Sequence, residues 1–200
     1  MLPLLALSRA IDRVTVTVGR SVMWLILVAV LVSAGNAIVR KVFNYSSNAW
    51  LELQWYLFGA AFMLAAALTL LQNEHVRIDV FYGTRSRRTQ HWIDLFGHIV
   101  FLLPFAALMT YLLVPYFLQS WFSGEVSSNS GGLLIWPARL LMVSGFILLL
   151  LQAVAEIIKK IAVIQGLIED PHPFITAAQQ AELEAAALAV EVAKSTGGKV

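Results

Sequence analysis

The chain has no cysteine. That excludes disulfides, thiolate metal sites, thiol redox chemistry and covalent c-type haem together. Charge is also scarce. Only 13% of the 200 residues are charged, against about a quarter in a soluble domain. The shortage is concentrated in gaps. No Asp, Glu, Lys or Arg occurs between Arg20 and Arg40, between Glu52 and Glu74, or between Asp94 and Glu125. The stretch 133–158 carries only Arg139 and Glu156. A helix needs roughly 20 apolar residues to cross the hydrocarbon core, and each gap reaches that length. No P-loop or nucleophile motif is present. No ionisable group stands at the centre of a gap, where ion-coupled carriers place them. The expectation is an all-α integral membrane protein with four transmembrane helices, no enzymatic activity, no cofactor and no resident metal. The few basic residues cluster at membrane edges, so nucleic acid is not an expected partner and membrane lipid is.

The four spans are expected at 21–39, 50–72, 93–118 and 133–158. Trp50, Trp121 and Trp136 mark one membrane face, and Trp24 and Trp92 the other, as in an aromatic belt. Pro104 and Pro115 are expected to bend the third span, which neighbouring helices can accommodate. Arg9, Arg13, Arg20, Arg77, Arg85, Arg87, Arg88, Lys159 and Lys160 fall on one side, and only Arg40, Lys41 and Arg139 on the other. The richer side should be cytoplasmic, which places both termini inside. The loop 119–135, without Lys or Arg, is then external. Residues 1–20 carry Leu4, Leu7, Ile11, Val14 and Val18 at helical spacing among Arg9, Asp12, Arg13 and Arg20. This pattern suits a cytoplasmic amphipathic helix lying in the interface. A cleaved signal peptide is the rival, but the apolar stretch runs too far, through Ile38 and Val39. The division is an interfacial helix over 1–20, a four-helix membrane domain over 21–160, and a cytoplasmic tail over 161–200, partly helical or disordered.

Several patterns are candidates for function. Ala29, Ser33 and Ala37 on the first span, and Ala61 and Ala65 on the second, are spaced four apart. Such small-residue ridges let helices approach closely in lipid, within the bundle or against another protein. Arg40 and Glu52 flank the short connection 41–49 at similar depth. A structural ion pair is the first reading, a contact with a partner subunit the second, and substrate binding the third. His75 and Asp79 follow the second span at i, i+4. That spacing supplies half a metal site but no third ligand, so a capped helix end or an interface hydrogen bond is expected. His98 lies within the third span, where a packed, hydrogen-bonded histidine is expected rather than a haem ligand.

The run Arg40-Lys41-Val42-Phe43-Asn44, then Trp50-Leu51-Glu52, then the small-residue second span, then His75-Val76-Arg77-Ile78-Asp79-Val80 resembles the DctQ family. These are the small permease subunits of tripartite ATP-independent periplasmic (TRAP) transporters. The resemblance covers about residues 10–165. Family members often have a second acidic residue beside the one matching Glu52; here that position is Leu53. The resemblance implies a multi-pass protein of the bacterial inner membrane. Its implied partners are a much larger multi-span permease subunit, which holds the substrate and sodium sites, and a periplasmic substrate-binding protein, which delivers an organic acid. The small subunit would enlarge the static scaffold of a sodium symporter. Two other classes are a haem- or quinone-binding anchor subunit of a redox complex, and a small oligomeric exporter. The exporter would need an intramembrane carboxylate that the spans lack.

The topology is directly testable in a chain without native thiols. Cysteines introduced at Ser128 and Ser86 should differ in intact cells. A membrane-impermeant thiol reagent should label position 128 and not 86; the reverse pattern would overturn the orientation.

Overall fold

The computed structural model describes residues 1–45, 47–74 and 82–171, together with 185, 186 and 188. Its helices are α1 (Leu2–Phe43), α2 (Asn48–Gln72), α3 (Arg87–Gly97), α4 (Leu103–Ser123) and α5 (Trp136–Ile164). A π-helical turn, His98–Leu102, joins α3 to α4 without a break. Four continuous helical stretches are long and apolar enough to cross a membrane. They match the four expected spans, with the third running from Arg87 to Ser123. The described residues contain no strand, only an isolated antiparallel bridge between Val126 and Leu134.

Local chemistry sets the ends. Asn44 closes α1 and Asn73 closes α2, both at positive φ (52° and 59°). Asparagine tolerates that left-handed conformation. After Asn73, the backbone N–H of Glu74 returns to the Thr69 carbonyl, which satisfies one of the carbonyls a helix end leaves free. Ser86 caps α3 by accepting from the Thr89 N–H. In the π turn, the Leu103 N–H reaches back to His98. Pro104 follows directly and has no N–H to continue the regular ladder. Pro115 lies inside α4 without ending it.

One difference from the sequence reading concerns the N-terminus. The lead 1–20 and the first span are one helix of 42 residues. At 1.5 Å per residue it is about 63 Å long, roughly twice the hydrocarbon thickness. Of the apolar stripe, only Ile11 is buried in its packed face. Ser8, Ile11, Thr15, Gly19 and Val22 are buried, while Leu4, Leu7 and Val14 are exposed. Small residues win the inward face because they let α1 come close to its neighbours. A Cβ on Gly19 would meet Leu68 of α2 at 2.5 Å.

Helix α5 is the centre of the bundle. It packs against α1, α2, α3 and α4, and α1 and α2 also pack on each other. In the most apolar window of α5, 39% of residues are buried, against 6% for the third span. The third span therefore leans on α5 from outside a three-helix core. The α2–α5 contact is tight, since a Cβ on Gly145 would lie 2.7 Å from Met63 Cβ and 2.9 Å from its carbonyl oxygen. Ala60, Ala61 and Ala67 of α2 are buried as well. From this level α2 continues outward for about four turns to Asn48, but α5 for only about two and a half to Trp136. The segment 124–135 fills the step above the shorter helix.

Overpacking should expose these close approaches. Gly145→Leu and Ala61→Leu should each destabilise the isolated protein, by about 1–3 kcal/mol if overpacking behaves as in other cores. Thermal unfolding in detergent would measure it. A midpoint equal to that of the unchanged protein would mean that α2 and α5 are not in contact.

Candidate functional site

Among the described residues, the ion pairs and the hydrogen bonds between helices lie towards the two ends of the bundle, and each end forms a clasp. The first is built on α2. Asn48, Glu52 and Tyr56 are four residues apart and so share one helix face. All three reach the segment above α5. Glu52 Oε1 accepts from Ser127 Oγ at 2.5 Å and Asn129 Nδ2 at 2.8 Å, and its Oε2 accepts from the Leu133 N–H at 2.6 Å. Asn48 Nδ2 donates to the Ser130 carbonyl at 2.9 Å, and the Tyr56 hydroxyl to that of Leu134 at 3.0 Å. Gly132 is required by space here. A Cβ would meet Ser127 Cβ at 2.6 Å and Glu52 Oε1 at 2.9 Å.

Beside it, Arg139 of α5 joins the same segment to α4. Its Nη2 lies 2.5 Å from Glu125 Oε1. Its Nη1 donates to the Tyr116 carbonyl at 3.0 Å, and the guanidinium sits 3.5 Å over the Tyr116 ring. Such a planar cation suits stacking and hydrogen bonding together. Trp121 and Trp136 meet edge to face at 4.6 Å next to it.

The second clasp joins α1 to α5 at the opposite end. Gln152 is fully buried and bonds three ways. It accepts from the Thr15 hydroxyl at 2.8 Å, and its amide donates to Asp12 at 2.8 Å and Glu156 at 2.9 Å. Lys159 lies between the two carboxylates, 3.1 Å from Asp12 and 2.7 Å from Glu156. One residue on, Lys160 pairs with Asp94 of α3 at 3.0 Å, and Asp94 also accepts from the Tyr82 hydroxyl. His91 and Lys160 approach Asp170 at 3.7 and 3.9 Å. His98 lines a small cavity at this end with Leu70, Asn73, Glu156 and Lys159.

The structure revises the first reading of Arg40 and Glu52. No ion pair joins them among the described residues. Glu52 turns towards 127–133, because three convergent donors, one of them a backbone N–H without another partner, satisfy both its oxygens. Arg40 and Lys41 are left exposed. Ala61 is buried and Ala65 half-buried, so that ridge serves the bundle. The other ridge divides: Ala29 is fully buried, but Ser33 and Ala37 are exposed. His75 and Asp79 lie outside the described residues. The Lys159 clasp and the Arg139–Glu125 pair were not anticipated. Their signal was present in Arg139 and Glu156, the two charges interrupting the apolar stretch 133–158, and in the polar spacing of Asn48, Glu52 and Tyr56.

Both clasps give double-mutant tests. Glu52→Gln must turn an amide N–H₂ towards one set of donors, so the 124–135 segment should become more sensitive to protease. Its effect should add to that of Arg40→Gln and fail to add to that of Gly132→Ala; coupling to Arg40 instead would overturn the assignment. Lys159→Met leaves Asp12 and Glu156 facing each other. Breaking a fully buried pair costs roughly 3–5 kcal/mol, so a large loss of detergent stability is expected. Asp12→Asn should recover part of it in the double variant, and strict additivity would argue against the network.

Comparison with curated proteins and with solved structures returns no match. A family model does match, over residues 28–163, well over half of the chain; its description is "Tripartite ATP-independent periplasmic transporters, DctQ component". Its range begins within α1 and ends one residue before the end of α5, so it contains the Glu52 clasp, Arg139 and Lys159. With four apolar helices arranged around α5, the chain belongs to the DctQ family, the small membrane component of TRAP transporters.

Proposed function

We propose that this chain braces a larger permease subunit in the bacterial inner membrane and carries no transport itself. In this reading the larger subunit holds the substrate and sodium sites, and a periplasmic binding protein delivers an organic acid. The observation that carries it is the placement of polar groups. Among the described residues, the buried charges stand towards the two ends of the bundle: Arg139 and Lys159 join α5 to other parts of the chain, and Glu156 completes the Lys159 clasp. Between the ends, the packed faces are built from Ala, Gly, Val and Leu. An ion or a carboxylate crossing such a core would meet no partner to replace its water, and charges in hydrocarbon require one.

The Glu52 end is external and the Lys159 end cytoplasmic, following the basic-residue asymmetry. The long α1 fits the same orientation. Its exposed Leu4, Leu7 and Val14, with Arg9, Arg13 and Arg20, suit contact with the cytoplasmic lipid surface, where apolar side chains enter the interface and cations meet anionic headgroups.

The role is tested by reconstitution in liposomes with an imposed sodium gradient. This chain alone should give no uptake of an organic acid above empty liposomes. Uptake should appear when the larger subunit and the binding protein are added. Sodium-driven uptake by this chain alone would overturn the reading.

A further inference from the structure

Two cations at the Glu52 end make no ion pair among the described residues. The acids at this end among the described residues are Glu52 and Glu125. Glu52 is filled by Ser127, Asn129 and Leu133, and Glu125 is held by Arg139. Arg40 and Lys41 are exposed, with no ion pair or hydrogen bond to a described residue. The negative end of the α1 dipole favours a cation in the last turn, but a single one would serve. Headgroup anchoring does not account for the pair either. The other helix ends on this side carry Trp50, Trp121 and Trp136, which suit the lipid boundary, and none of these ends has a free cation.

A second observation concerns the helix face below them. Ser33, Ala37 and Lys41 are four residues apart and so form one stripe. Ser33 and Ala37 are exposed, although the ridge they continue is closed by packing at Ala29. Beside the cations Phe43 is 72% exposed. The face therefore offers close approach along its length, an aromatic side chain at its edge and unpaired positive charge at its end. Small residues allow helices to meet in lipid, and arginine and aromatic side chains are enriched where proteins bind.

We propose that this outer half of α1 is the docking site for a transmembrane helix of the larger subunit, one with an acidic residue at its external end facing Arg40 and Lys41. The stripe lies within the apolar span, so the occupant is a membrane helix rather than a soluble protein. The inference rests on the function proposed above, because it needs that larger subunit to exist.

The test uses the complex co-expressed in its own membrane. The double variant Arg40→Glu/Lys41→Glu should lower recovery of the larger subunit at least tenfold while the small subunit itself remains inserted and monodisperse. Ala37→Leu should do the same through the stripe alone. As a check that does not rely on loss, a photo-crosslinking phenylalanine at position 43 of the otherwise unchanged chain should give an adduct with the larger subunit. Undiminished recovery in both variants, or adducts only with lipid or only with the soluble binding protein, would overturn the docking site. Failure of the unchanged chain to bring down any larger membrane subunit would instead remove the proposed function, and the docking site with it.

Discussion

Everything in this bundle depends on how α5 satisfies its charges at both ends. A polar group in hydrocarbon has no water to return to, so it must find a partner within the protein. Arg139 finds Glu125 and the carbonyl of Tyr116. Lys159 finds Asp12 and Glu156, and Lys160 finds Asp94. Apart from Glu156, which is on α5 itself, these partners lie on other parts of the chain, so the pairs fix where α1, α3, α4 and the 124–135 segment sit around α5. The middle of the helix contributes direction-free packing, with Gly145 against Met63 setting the distance. Apolar contact alone would allow the helices to slide or rotate, since lipid tails compete equally for such surfaces. The end charges specify one register.

This arrangement gives the Glu52 end its form. Because α5 begins lower than α2, a step is left at that end. The 124–135 segment fills it, and its backbone groups need partners there. Ser127 and Leu133 exchange one hydrogen bond, and Ile135 donates to Glu125. The Ser130 carbonyl, the Leu133 N–H and the Leu134 carbonyl go to Asn48, Glu52 and Tyr56. Glu52 is therefore a structural anion whose negative charge organises a loop. Its use there leaves Arg40 and Lys41 of α1 without an acidic partner among the described residues.

Much of the architecture was legible in the residues. Four long gaps in charge predicted four spans, and the ends of α2 and α5 fall close to the expected limits. The connection near residue 44 was marked by the polar cluster around Asn44. Less legible was the N-terminus. Leu4, Leu7, Ile11, Val14 and Val18 suggested a separate amphipathic helix lying in the interface, yet Leu2–Phe43 is one helix whose packed face takes Ser8, Ile11, Thr15 and Gly19. The usual rule, apolar inward, weakens when lipid takes the apolar side and a close helix neighbour favours small residues. Proximity in sequence likewise suggested that Arg40 and Glu52 would pair. Distance along the chain does not count the donors that another loop can bring, and three of them came from residues 127–133.

By itself, the sequence determined that the chain is helical, that it crosses a membrane four times, and that its core has no thiol and no central charge. Those properties follow from length, hydropathy and residue inventory, which act locally and need no knowledge of neighbours. Only the tertiary structure decided which charges meet: Lys159 with Asp12 across well over a hundred residues, Glu52 with 127–133, Arg139 with Glu125. Ion pairs and hydrogen bonds act over about 3 Å and require a defined direction, so they exist only after the helices have taken their places. The exposed Arg40 and Lys41 are the residue of that choice.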